Sequence, residues 1–123
     1  MIRLLKKPRI LLLDDDPSML RLVTKLLRDQ GFRVDAVTTG RQAIDKIKRF
    51  DYDALLLDLM TPTEGGTTVI EHLREHDPPL LKRIVLVTAA PPAGLRSVSK
   101  DVFAVVKKPF KAEELMETMR RLV

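Results

Sequence analysis

Six residues of types that do chemistry together each stand just after a short apolar run. Asp14, Asp15 and Asp16 follow Ile10-Leu11-Leu12-Leu13, Asp58 follows Leu55-Leu56-Leu57, Thr88 follows Ile84-Val85-Leu86-Val87, and Lys108 stands two residues after the run Val102 to Val106. Carboxylates gathered in a partly buried crevice repel one another, and a hard divalent cation with oxygen ligands relieves the repulsion. Mg²⁺ suits such a place, because it keeps several waters and needs only one or two carboxylates plus a phosphate oxygen. A remaining function for Asp58 is then that of a nucleophile. Lys108 would bring positive charge and Thr88 a hydroxyl donor, and with the metal these match the oxygens of a phosphoryl group.

The apolar runs themselves read as the elements that position this chemistry. Arg9 to Leu13, Ala54 to Leu57, Ile84 to Val87 and Val102 to Val106 do not alternate, which suits strands buried on both faces of a parallel sheet. Arg33 to Val37 alternates and reads as an edge strand. Between the runs the period becomes helical. Asp16 is placed to cap a helix with Pro17 at its first position, a stripe of Leu20, Val23, Leu26 and Leu27, and Gly31 as its stop. Ala43, Ile44 and Ile47 mark a second helix, and Val69, Ile70 and Leu73 a third that ends before Pro78-Pro79. Leu115, Met116, Met119 and Leu122 mark the last, with the two Met as core filling. Pro91-Pro92 leaves only Leu95 and Val98 for a stripe, so the fourth helix is expected to be short or irregular. Five βα units give a parallel sheet with helices on both faces, and its ligand crevice lies beyond the carboxyl ends of the strands, where the candidate residues fall.

Composition bounds the rest. A chain of 123 residues, 45% apolar and 32% charged, fits one globular domain. With no Cys there is no disulfide framework, thiolate nucleophile or Cys-based zinc site. No apolar run approaches the roughly 20 residues of a membrane span, and the first eight residues read as a basic lead-in, so a cytoplasmic location is expected. The net charge of +5 raises the question of nucleic acid, but Lys and Arg are spread over most helices with no aromatic residues interleaved. A solvated surface is the expectation.

The stretch Ile10 to Pro17, Asp58-Leu59-Met60-Thr61-Pro62 with Gly66 beyond, Val87-Thr88-Ala89 and Lys108-Pro109-Phe110 together resemble the response regulator receiver domain of two-component signalling. The resemblance covers residues 9–123, taken as a single domain after the lead-in at 1–8. It implies a flavodoxin-like doubly wound α/β fold, strand order 2-1-3-4-5, with five helices. It makes Asp58 the phosphoacceptor, Asp15 and Asp58 direct Mg²⁺ ligands, Asp14 a ligand through water and the Met60 carbonyl the last protein ligand. Thr88 and Lys108 would contact the phosphoryl group, and the Lys108-Pro109 bond is expected to be cis. Implied partners are a sensor histidine kinase or phosphotransfer protein and a downstream protein target, with a homodimer through the surface of the fourth and fifth helices left open. Such a domain is a switch that assists its own phosphorylation rather than an ordinary enzyme.

The chain also departs from the receiver pattern. Val105 stands where the family usually has an aromatic residue that moves with the Thr, and the interval from Thr88 to Lys108 is short. Both favour an alternative, a scaffold receiver that binds a partner without phosphorylation. Met60 and Ala90 stand where the resemblance places residues flanking the hydrolytic water, and neither orients water, so a long-lived phosphoryl group is expected. An ordinary hydrolase is disfavoured. His72 and His76 have a spacing that binds zinc on a helix, but no Glu directly follows His72 to act as a base, and both read as exposed helix residues.

Overall fold

In the computed structural model, which describes residues 7–59 and 65–123, the short apolar runs become the strands of one parallel sheet and the helical stripes its two covering layers. The chain runs β1 (Arg9–Leu13), α1 (Pro17–Asp29), β2 (Arg33–Val37), α2 (Gly40–Arg49), β3 (Ala54–Leu57), α3 (Gly66–His76), β4 (Ile84–Thr88), α4 (Pro92–Leu95), β5 (Ala104–Lys107) and α5 (Ala112–Leu122). The strand order is β2-β1-β3-β4-β5, with β1 at the point where the winding reverses. Leu13 of β1 stands level with Val37 of β2 and with Leu57 of β3, so these three strands end together.

Side chains alternate between faces along each strand, and the central strands are apolar at every position but Arg9 and Thr88 because both faces are covered. Leu11, Leu13, Leu55, Leu57, Ile84 and Leu86 pack with Ala43, Val69, Ile70 and Leu73 from α2 and α3. Ile10, Leu12, Ala54, Leu56, Val85 and Val87 pack with Val23, Leu27, Leu115, Met116 and Met119 from α1 and α5. Each fully buried Leu here contributes about 1.5–3 kcal/mol. The two Met of α5 are core residues, as expected.

The helix ends follow local chemistry. Asp16 caps α1 by accepting the Ser18 N–H at 2.9 Å, beside Pro17 at the first position. The helix stops where Gly31 takes φ 92°, its N–H donating to the Arg28 carbonyl at 3.0 Å and that of Phe32 to the Leu27 carbonyl at 3.1 Å. Thr39 and Gln42 cap α2 reciprocally.

Two expectations need correction. Pro78-Pro79 does end α3, but the chain continues in a 3₁₀ turn, Pro78–Arg83, that buries Leu81, an additional helical segment that pattern reading omits. The fifth strand is shorter and later than its apolar run. Val102 is buried from the preceding loop, pairing in β5 starts at Ala104, and the strand is a second sheet edge with Ala104 and Val105 only half-buried. The fourth helix is indeed short, four residues after Pro91.

Away from the carboxyl ends, Arg9 donates from Nε to Asp35 Oδ2 at 2.9 Å and Tyr52 donates its hydroxyl to the same oxygen at 2.6 Å. Burial works against the Asp35 carboxylate, but the hydrogen bonds from Tyr52 and Arg9 outweigh it and hold the carboxyl below its ordinary range. Burial, then Asp35, pushes the Tyr52 phenol up.

Candidate functional site

At the carboxyl end of the sheet, β1, β3, β4 and β5 each deliver one polar residue to a common rim. Asp14 continues β1, its N–H donating to the Val37 carbonyl at 3.2 Å, and Asp58 continues β3, its N–H donating to the Leu13 carbonyl at 3.0 Å. Thr88 is the last residue of β4 rather than the one after it. Lys108 directly follows β5, with its N–H donating to the Thr88 carbonyl at 3.0 Å, and its bond to Pro109 is cis.

Asp14 is 3% exposed, Asp58 7% and Thr88 fully buried. Charges so far from water require close partners. The Lys108 ammonium supplies one to both acids, donating to Asp14 Oδ2 at 2.6 Å and to Asp58 Oδ2 at 3.1 Å. Burial alone would depress the ammonium, yet the hydrogen bonds to Asp14 and Asp58 prevail and raise its pKa above the ordinary value. Asp14 is oriented by the Asp16 N–H, which donates to its Oδ1 at 2.9 Å. Thr88 Oγ1 accepts the Ala90 N–H at 3.2 Å, so the hydroxyl proton remains available to donate.

Asp15 is the least buried of the acids, and Asp14, Asp15 and Asp58 can bring one oxygen each within 4.8 Å of one another. Three carboxylates face one ammonium among the described residues, and every donor is a hard oxygen, which fits an Mg²⁺-type ion and not a thiophilic one. Met60, expected to lend its carbonyl, lies outside the described residues, as does Pro62. Asp16 caps α1, which leaves its side chain with a structural role. His72 and His76 lie on α3, outside this cluster.

Gly66, the glycine of the Asp58 motif, meets the acceptor strand through its backbone. Its N–H donates to the Asp58 carbonyl at 2.8 Å, and a Cβ there would stand 2.7 Å from that oxygen. Only the spacing from Asp58 hints at this contact, since the clash exists only in three dimensions.

A sequence model described as the response regulator receiver domain matches residues 10–120. Over 119 residues the chain is 36% identical to the DNA-binding response regulator MtrA of Mycolicibacterium smegmatis, covering 93% of this chain and 50% of that protein. The chain thus spans about half the length of the curated relatives it matches. It is similar in structure to the response regulator TrrA of Thermotoga maritima in complex with Mg²⁺-BeF, with TM-score 0.82, 30% identity, and coverage of 94% of this chain and 99% of that one. It is also similar to the receiver domain of sensor histidine kinase PA1611 from Pseudomonas aeruginosa, solved with magnesium in its active site cleft. There the TM-score is 0.83 at 29% identity, covering 95% of this chain and 98% of that one.

Proposed function

Because the chain belongs to the response regulator receiver domain family, we propose that Asp58 accepts a phosphoryl group from a phosphohistidine donor and that the added charge switches binding to a downstream protein. The observation that carries this reading is the Lys108 ammonium bridging the buried Asp14 and Asp58 at the end of the sheet. In the transfer the phosphorus–nitrogen bond of the donor breaks as a phosphorus–oxygen bond to Asp58 forms, and the imidazole leaves with its electron pair. An ionised Asp58 needs no base, so the residues around it act by position and charge. Lys108 is placed to meet phosphoryl oxygens as their charge arrives, and Thr88 to donate its hydroxyl proton to one of them. A divalent cation held by Asp15 and Asp58, by Asp14 through water and by the Met60 carbonyl would supply further neutralisation of phosphoryl charge.

We place the receiver over residues 9–123 with residues 1–8 as its lead-in, in the cytoplasm and served by a sensor histidine kinase or phosphotransfer protein. Among the described residues no helix is long and apolar enough to cross a membrane. The experiment is a beryllofluoride titration with Mg²⁺ followed by NMR, for the wild type and Asp58→Asn. The wild type should show new signals around 58, 88 and 108, and D58N none. A wild type that ignores both ions would overturn the reading.

The scaffold alternative draws on the four-residue α4 and on Val105, which is half-buried against the α3-side core and lacks an aromatic ring to relocate. It predicts equal partner affinity for wild type and D58N with or without beryllofluoride, whereas the switch predicts a shift of at least about fivefold.

A further inference from the structure

We infer that His72 and His76, one turn apart on α3, bind an imidazole-seeking divalent transition metal of the Zn²⁺, Ni²⁺ and Cu²⁺ class at a site separate from the acidic rim. Helical residues four apart share a face, and two His at this spacing supply paired ligands in helical zinc sites. Here the two rings already lie side by side, with centroids 4.5 Å apart and planes at 40°. The His76 side chain is 61% exposed, so an ion and its remaining waters can reach it. Among the described residues no hydrogen bond within the chain occupies either ring, and Glu75 places its Oε2 3.7 Å from His76 Nε2. Glu75 adds negative charge at the site and an oxygen that can approach a third position.

Ligand chemistry separates this pair from the carboxylate cluster. Imidazole favours Zn²⁺, Ni²⁺ and Cu²⁺, while an oxygen-only site favours Mg²⁺. Binding needs neutral imidazole, and burial, followed by the charges of His76 and Lys48, lowers the pKa of His72 and favours that form. Lys48 on α2 opposes an incoming cation, and Glu75 offsets it in part. A second imidazole held beside the first binds intramolecularly, so the pair should exceed a lone His by at least about tenfold.

The same end of α3 holds the irregular segment after α4. Arg74 donates from Nη2 to Asp101 Oδ2 at 2.8 Å and to the Ser97 carbonyl at 3.0 Å. Metal closing one turn of α3 would therefore brace the platform to which that segment is tied.

The test uses the full, tag-free chain with excess Mg²⁺ to fill the acidic site. Zn²⁺ is titrated calorimetrically and Ni²⁺ followed by NMR, for the wild type, His76→Gln and His72→Gln. The wild type should bind one equivalent of Zn²⁺, each variant at least about tenfold more weakly. Ni²⁺ should broaden signals centred on residues 72–76 and raise Tm of the wild type only. Because His76 is exposed, H76Q should keep the wild-type metal-free spectrum. Equal Zn²⁺ affinity of wild type and H76Q, or broadening centred elsewhere, overturns the proposal.

Discussion

Replacing Gly66 with Ala should injure both stability and phosphorylation, although Gly66 brings no side chain to the rim. The added Cβ would stand 2.7 Å from the Asp58 carbonyl oxygen, 3.1 Å from its carbon and 3.3 Å from Leu57 Cβ. Ordinary contact begins near 3.4 Å, so the neighbours must yield by about 0.7 Å. The atoms in the way are largely backbone, and a peptide group cannot rotate aside as a side chain can. The shift loosens the hydrogen bond between the Gly66 N–H and the Asp58 carbonyl, and it moves the Asp58 carboxylate relative to Lys108. Overpacking of this kind costs about 1–3 kcal/mol. A displacement approaching 1 Å at a reacting group costs up to about a hundredfold in rate. Urea unfolding measures the first, and acetyl phosphate labelling of Asp58 in Mg²⁺ the second. A G66A protein within about 0.5 kcal/mol of the wild type and labelled at the wild-type rate would refute the reasoning.

Lys108→Met leaves Asp14 and Asp58 buried without their shared ammonium. It should cost about 3 kcal/mol in chelator, and Mg²⁺ should restore part of that; thermal melts with and without Mg²⁺ check it, and equal stability in chelator counts against the role given to Lys108. Asp35 has a folded pKa below its ordinary value, so its contribution is present above the unfolded pKa of about 3.9 and fades as pH falls through the folded one. Asp35→Asn should therefore cost about 1–3 kcal/mol at neutral pH, a gap from the wild type that closes as pH falls through the lowered folded pKa of Asp35; a gap independent of pH contradicts the assignment. Ala90 is buried with its N–H donated to Thr88, and neither Ala90 nor Met60 carries a side-chain group suited to orienting water. Losing about 3 kcal/mol of positioning slows hydrolysis roughly a hundredfold, so label on Asp58 should persist for hours, and its loss within a minute at neutral pH would exclude this.

The strand runs, the α1 cap at Asp16 and stop at Gly31, and the gathering of Asp14, Asp58, Thr88 and Lys108 at strand ends were all legible in the sequence. Each depends on local period, on a single capping hydrogen bond or on the rule that parallel strands point their carboxyl ends the same way. The 3₁₀ turn after α3 and the late start of β5 were not legible, because an apolar residue such as Leu81 or Val102 reads alike whether a strand or a loop buries it. Nor did residue types disclose that Gly66 presses on the Asp58 carbonyl or that Tyr52 and Arg9 converge on Asp35. By itself the sequence determined which chemistry is at hand and at which strand ends it stands, since both follow from residue identity and spacing along the chain. Only the tertiary structure decided which atoms meet, because distances between residues as remote as Asp14 and Lys108 depend on how the sheet and its helices pack.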